Sequence, residues 1–253
     1  MIEIKKIRDC TLIFTRPEEA IVITCDSIGG IGNKPQDIVK VTPEHSGHET
    51  AKVALAEILA IGATPVAISN GLTMEMEPTG KRFVAGIKEA MEELPEYPMA
   101  LTGSSEDNMP TVQTGAGITV IGVIQKEAIR FKKTRPGDKA VLFGKPLCGD
   151  DFKKELHLAL RLPDYHKICQ LTSLREMVPV GSKGVAYEVE KIAEDNHLSF
   201  DYAEKIPFDL EASGGPASSC VVTMSAENVE GLQEQIGKMV TVLGEFKMCG
   251  SKQ

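Results

Sequence analysis

Two acids, a glycine-rich turn and a lysine carry the chemistry of this sequence. Asp26 follows the apolar run Ala20 to Cys25, the turn Gly29-Gly30-Ile31-Gly32 leads to Lys34, and Glu57 is the one acid between Val53 and Ala63. Carboxylates are ligands for hard divalent cations. The backbone N–H groups of a glycine turn, with a lysine nearby as a point charge, suit an anion. Together these residue types describe a metal and phosphate site.

The elements that must position them follow from the pattern. From Val53 to Ala63 every residue except Glu57 and Gly62 is apolar, which marks a helix covered on most sides. Glu57 is therefore expected to lie out of bulk water, where a carboxylate needs a cation, a metal or donor groups. A structural ion pair meets that need as well as a metal does, and both readings stand. Asp26 has the same two readings, as a residue closing a strand into a turn or as a ligand. Two familiar nucleotide loops are excluded. Pro35 occupies the third glycine position after Gly30-x-Gly32, and the spacing from Gly71 to Gly80-Lys81 is too long for a Walker A loop, with Arg82 in place of Ser or Thr.

In chain order, strands are expected at Thr11 to Phe14 and Ala20 to Cys25, joined at Arg16-Pro17, then the Glu57 helix stopped by Gly62 and a strand from Pro65 to Ser69. An amphipathic helix is expected from Lys81 to Leu94, preceded by Glu75 and Glu77; Glu77, Thr79 and Lys81 at its entry read either as capping groups or as holders of a cation and a phosphate. The run LTGSSEDNMPTVQTG reads as a polar loop before a strand from Ala116 to Ile124. A boundary just before Arg135-Pro-Gly-Asp138 divides the chain into 1–133 and 134–253. The second part is expected to hold strands at Lys139 to Phe143 and Ser219 to Met224, and helices at Lys153 to Arg161, Val185 to Asn196 and Val229 to Val240. That order is α+β rather than a regular βαβ repeat.

The 253 residues are long enough for a large core. A formal charge of −8 argues against a nucleic-acid binder and against an anionic membrane surface. The cluster Arg130, Lys132, Lys133 and Arg135 has no interleaved aromatic run of the kind that stacks bases, and reads as a solvated linker. The start MIEIKKIRDC lacks a basic-then-apolar signal region, and no apolar run reaches the length of a membrane span. A cytoplasmic location is expected. The six scattered cysteines include no C-x-x-C pair, so they read as buried small hydrophobes rather than a zinc site or disulfide framework.

The segments TCDSIGGIGNK, AEILAIGATP, EMEPTGKR, LTGSSEDNMP and RPGDKAVLFG resemble the family of AIR synthase, thiamine-monophosphate kinase, selenophosphate synthetase and the hydrogenase-maturation dehydratase. The similarity covers nearly the whole chain. It implies an N-terminal domain whose sheet pairs across a homodimer into a β-barrel, a second α+β domain, and ATP held with Mg2+ between carboxylates. Carried over by position, Asp26 matches the acid after the second strand and Glu57 replaces the usual Asp of the helix. Glu75 lies near the acid before Thr-Gly-Lys, and Gly103, Ser104 and Ser105 occupy a Gly-Gly-acid segment. The resemblance thus implies Asp26, Glu57, Glu75 and Glu106 as metal ligands, and Asp26, Glu57 and Lys34 as the catalytic groups. Asp9, Gly30, Gly32, Lys81, Gly103, Ser104 and Ser105 would cradle the nucleotide.

Departures from the family pattern are specific. Ser105 stands where a metal-binding acid is usual, so Glu106 or Asp107 substitutes or one metal is lost. Arg8-Asp9 is what remains of a Gly-Asp-Asp, and the second domain is trimmed. Lys183, in Gly181-Ser-Lys-Gly184, replaces the acid of a Ser-Asp-Gly. Within the family, RDCTLIF, MEMEPTGKR, GSSEDNMPTVQTG and VPVGSKG look most like the α-ribazole kinases. That resemblance implies a small, nucleoside-like acceptor. The alternatives are thiamine-monophosphate kinase, an AIR synthase-like cyclo-ligase, and a catalytically silent nucleotide-binding dimer.

Overall fold

The computed structural model describes residues 2–249. They form two compact units that divide between Ile129 and Arg130, each built on its own sheet. In the first unit the chain runs β1 (Glu3–Ile7), β2 (Cys10–Arg16), β3 (Glu19–Gly29), the short pair β4 (Ile31–Gly32) and β5 (Val39–Lys40), and α1 (Pro43–Ile61). It continues through β6 (Thr64–Leu72), a one-turn π-helical segment at Met76–Gly80, α2 (Lys81–Glu92), β7 (Ala100–Ser105) and β8 (Gly115–Gln125). The six long strands make one sheet in the order β1-β2-β3-β8-β6-β7. All neighbours are antiparallel except β6 and β7.

That parallel pair is where the expected loop gives way to a strand. Gly103, Ser104 and Ser105 are not loop residues but the last three of β7, paired with Asn70, Gly71 and Leu72 of β6. The polar sequence misleads because β7 is an edge strand, almost wholly exposed, and has no buried face to impose alternation. Similarly, Asp26 does not close its strand: β3 continues to Gly29, pairing residue for residue with β8.

α1 begins as its sequence dictates, with Thr42 as N-cap accepting from the His45 N–H at 3.2 Å and Pro43 in the first turn. It ends at Gly62, whose φ of 96° only glycine adopts readily and whose N–H meets the carbonyls of Ile58 and Leu59. Its apolar side covers the sheet, and the Thr24 hydroxyl of β3 donates to the Ala54 carbonyl at 2.8 Å. α1 and α2 cross where both carry glycine: a Cβ on Gly47 would lie 2.0 Å from the Phe83 carbonyl oxygen, and one on Gly86 would lie 1.9 Å from that of Glu44. No side chain fits at either place.

The second unit is an antiparallel sheet in the order β10-β12-β9-β13-β11. Its elements are β9 (Asp138–Gly144), α3 (Gly149–Lys154), α4 (Leu162–Cys169), β10 (Glu176–Pro179), α5 (Gly184–Asp195), β11 (Leu198–Tyr202), β12 (Ser219–Ser225), α6 (Leu232–Ile236) and β13 (Val240–Met248). Neither expected helix, Lys153 to Arg161 or Val229 to Val240, forms as one continuous element. The first region divides into α3, a 3-10 turn and the start of α4, because Pro163 suits a first helical turn and breaks a continuing one. The second holds only the five residues of α6 between Gly231 and Gly237, both with positive φ, and the chain then turns into β13. Arg130 is not a solvated linker residue, since its guanidinium donates to the Cys169 sulfur at 3.2 Å and to the Cys169 carbonyl at 3.1 Å. The six cysteines are free, and Cys25, Cys148 and Cys249 are exposed rather than buried. Among the described residues no helix is long and apolar enough to cross a membrane.

Between α1 and the end of α2 lies a network of charges largely shielded from water. His48 Nδ1 is 3.0 Å from Glu49 and its Nε2 is 3.5 Å from Glu93, while Lys52, 2% exposed, pairs with the other oxygen of Glu49. Burial works against the charge on His48, but the bonds to Glu49 and Glu93 outweigh it and push its pKa up to about 9. A raised histidine stabilises fully below its unfolded value near 6.5 and loses that contribution as pH rises through the folded value. The melting temperature is therefore expected to fall between pH 7 and 9.5, with a flatter profile in His48→Gln, as thermal melts across that range would record.

Candidate functional site

Strand register gathers the candidate groups at one edge of the first sheet. Gly29 pairs with Gly115, Leu72 pairs with Ala116 and with Ser105, so the carboxyl ends of β3, β6 and β7 and the start of β8 share that edge. The segments leaving it must satisfy their backbones against one another. Gly30 N–H donates to the Thr114 carbonyl at 2.9 Å, Gln36 N–H to the Val112 carbonyl at 2.9 Å, and Glu106 N–H to the Leu72 carbonyl at 3.0 Å.

Lys34 is at the centre of these segments. The residue is 8% exposed, and its ammonium donates to Glu75 at 2.6 Å and to the Thr111 carbonyl at 3.0 Å. The other carboxylate oxygen of Glu75 accepts from the Thr79 hydroxyl at 2.5 Å. Burial tends to raise the Glu75 pKa, but the bonds from Lys34 and Thr79 prevail and hold it below the ordinary carboxylate range. Two residues singled out separately in the sequence, a cation for phosphate and an acid for metal, thus neutralise each other.

Asp26 has a different environment. Its side chain shares the helix-covered face with Thr24, in a row running from Asp26 through Ile118 to Asn70. It is half-buried, and burial pushes its carboxyl up, with a hydrogen bond from the Ser27 backbone opposing. Glu57, half-buried, is on α1 beside the β1–β2 hairpin turn of Arg8 and Asp9. The Cys10 thiol approaches the Glu57 carbonyl at 3.8 Å. Burial, reinforced by the charges of Glu57 and Asp9, pushes that thiol well above its usual value.

The remaining candidates take more ordinary roles. Glu106 accepts from the Asn108 N–H at 2.8 Å. Ser105 donates to Asp107 at 2.6 Å, and Asp107 also accepts from the Met76 N–H at 2.8 Å. Gly103 leaves room for Asn70, whose amide would be 2.4 Å from any Cβ there and which donates to the Thr102 carbonyl at 3.0 Å. Ser104 is exposed on β7. Lys81 is exposed and pairs with Glu77 at 3.1 Å, one helical turn before it. Gly30, at φ 69°, turns the chain out of β3. Gly32 is pressed against Thr114 and Asp37, whose atoms would be 2.2 and 2.8 Å from a Cβ.

Sequence reading missed Asp37, Thr111 and Thr114. A Pro-x-Asp turn directly after Lys34 is the signal that points to Asp37, since Asp side chains bond nearby backbone in turns. Thr111 and Thr114 act through contacts across 77 residues of chain, which no local pattern reveals.

Among the described residues no group of three or more His, Cys, Asp and Glu is arranged to hold a metal. Mg2+ is often bound through one or two carboxylates, with phosphates and water supplying the rest. Asp26, a half-buried carboxylate raised by burial, fits that mode.

The ion pair gives a direct test. Replacing Lys34 by Met removes the cation from Glu75 and a donor from the Thr111 carbonyl, so the loss at neutral pH should be about 1–3 kcal/mol. A depressed carboxyl stabilises above its unfolded pKa and loses that contribution as pH falls through the folded value. Denaturant melts should therefore show the gap between wild type and Lys34→Met narrowing below pH 4.

Comparison with known proteins agrees with this architecture. Residues 8–124 match the family described as AIR synthase related protein, N-terminal domain. No curated protein matches the chain by sequence. Thiamine monophosphate kinase from Aquifex aeolicus superposes with a TM-score of 0.68 at 16% identity, over 97% of this chain and 91% of that one. AaThiL complexed with AMPPCP and TMP gives 0.64 at 16% identity, over 95% and 85%. T. maritima PurL complexed with ATP gives 0.63 at 15%, over 94% of this chain but 42% of the PurL chain, so this chain spans under half the length of PurL. At such identities the likeness establishes the fold. Residues 8–124 are thus similar to the AIR synthase-related N-terminal domain, and the chain shares its fold with the solved thiamine-monophosphate kinase.

Proposed function

We propose that the protein is an ATP-dependent small-molecule kinase that phosphorylates a neutral nucleoside, α-ribazole, on its 5′-hydroxyl. The observation that carries this reading is the convergence of Lys34, Glu75, Thr79 and the glycine turn at one sheet edge, with Asp26 on β3 three residues before that edge. It is supported by the likeness to a fold whose solved examples are complexed with ATP, or with AMPPCP and TMP.

Phosphoryl transfer demands positioning and charge neutralisation more than covalent chemistry from the protein. Mg2+, when bound, would supply positive charge that neutralises the phosphates. Asp26 would hold it with the phosphates themselves, and Glu57, Glu75 and Glu106 are the further acids proposed for this role. An incoming phosphate competes with Glu75 for the Lys34 ammonium, freeing that carboxylate as the lysine turns to the anion. Gly30 and Gly32 are proposed to shape the turn beside the same anion, the Gly30 N–H itself being held by the Thr114 carbonyl. Asp9, Lys81, Gly103, Ser104 and Ser105 complete the proposed cradle, with Lys81 free to swing because it is exposed.

The acceptor follows from resemblance and charge. Lys183 occupies a position where the kinases carry an acid, and its ammonium lies 4.3 Å from the Tyr187 ring centroid. A cation there disfavours a thiazolium acceptor and leaves a neutral benzimidazole nucleoside unaffected. The test is an assay with Mg2+-ATP and, in parallel, α-ribazole, thiamine monophosphate and formylglycinamidine ribonucleotide, reading ADP release and product mass. α-Ribazole 5′-phosphate is the expected product, and Asp26→Asn should lower the rate at least about 100-fold if Asp26 holds the metal. Turnover with another acceptor reassigns the substrate, and nucleotide binding without turnover favours a silent regulatory dimer.

A homodimer through the first sheet belongs to the same proposal. The face opposite α1 is apolar along the row Ile4, Ile13, Ile21 and Val123 and the row Ile23, Ile121 and Ala67. Ile4 is 67% exposed. An apolar sheet face of this extent suits a second copy. Sedimentation at micromolar concentration should show a dimer, and Ile21→Asp, placing a charge in the row, should yield monomer.

A further inference from the structure

We infer that Asp37 is the positioning residue of the site, the group that fixes both Lys34 and the carbonyl it donates to. The residue is 4% exposed. One carboxylate oxygen accepts from the Lys34 N–H at 2.8 Å and the Thr114 hydroxyl at 2.7 Å, and the other accepts from the Thr114 N–H at 2.7 Å. These bonds join the turn after β3 to the segment before β8.

The consequence for Lys34 is geometric. Its N–H is held by Asp37, its carbonyl accepts from Lys40 at 2.6 Å and from the Asp37 N–H at 3.1 Å, and Pro35 follows it. With the backbone pinned on both sides, the side chain leaves in one direction, toward Glu75 and Thr111. Thr111 is three residues before Thr114, so the same carboxylate also sets the acceptor that receives the Lys34 ammonium. Gly32 closes the arrangement, because a Cβ there would run into Thr114 Oγ1 and Asp37 Oδ2. Asp37 is thus a shared anchor for donor and acceptor. It would touch neither nucleotide nor metal.

The inference rests on the proposed function for what Lys34 serves, whereas its test reads Lys34 itself. Brief acetylation of the intact protein with acetic anhydride, followed by peptide mass spectrometry, measures how accessible each lysine amine is. Lys52, 2% exposed and held in the separate network with Glu49, is the internal control for global unfolding. In Asp37→Asn the acetylation of Lys34 is expected to rise about tenfold, as for loss of hydrogen bonds to a charged acceptor, while Lys52 stays protected. Thr114→Val removes one of the three bonds and should give a smaller rise, about threefold, with Lys52 again unchanged. Where Asp37→Asn exposes both lysines together, Thr114→Val decides the matter. Lys34 acetylation within twofold of wild type in the folded variant would overturn the inference. A kinase assay that fails on every acceptor leaves this result standing, and a failure here leaves the kinase assay standing.

Discussion

Everything at the candidate site depends on backbone satisfaction at the edge where β3, β6 and β7 end. A sheet pairs its own N–H and C=O groups, but the chain that leaves it has to find partners or water. Here the departing segments pair with one another: Gly30 with Thr114, Gln36 with Val112, Glu106 with Leu72. Buried side chains reinforce the arrangement where backbone alone cannot reach, above all Asp37 and Lys34. The region is therefore a set of crossed loops with defined geometry, which is the condition for holding a charged ligand in one orientation.

Within that frame the charges are arranged unequally. Lys34 and Glu75 form a contact pair with most of the lysine out of water, so removing either partner leaves the other imperfectly solvated. Asp26, on the covered face of β3, has its carboxyl pushed up by burial with a backbone hydrogen bond opposing. A carboxylate in that condition binds a cation with a gain that a well-solvated one does not have, because the cation relieves a desolvation cost already present. The contrast separates a mutually neutralised pair from a carboxylate whose burial is only partly compensated.

How much of this was legible depends on whether the signal was local. The Glu57 helix and its Gly62 stop were readable because an apolar run closed by glycine carries both packing and capping information within a few residues. The strands around Ala20 and Ala116 were readable for the same reason, although their true ends lie further out, where pairing with each other rather than side-chain type sustains them. β7 was unreadable because an exposed edge strand has no alternation to show. In the second unit, β13 was hidden behind residues that also suit a helix, and Gly237 and pairing with β9 and β11 decide the outcome. At the site, sequence identified Lys34, Glu75 and Asp26 as individuals but not that the first two are partners 41 residues apart.

The departure at Ser105 has a structural counterpart. The resemblance places an acid at that position, and the nearest acids are Glu106 and Asp107. Asp107 is held below the ordinary carboxylate range by the Ser105 hydroxyl and the Met76 N–H, with slight burial opposing. Both bonds act inside the protein, tying the end of β7 to the segment that carries Glu75. Restoring an acid at 105 would set two carboxylates against each other across a distance now spanned by a hydrogen bond, and the connection to Met76 would weaken. Ser105 and Asp107 thus form a coupled pair in which the hydroxyl makes the acid useful for holding the loop. Through that pair the end of β7 is tied to the residue next to Glu75, the partner of Lys34.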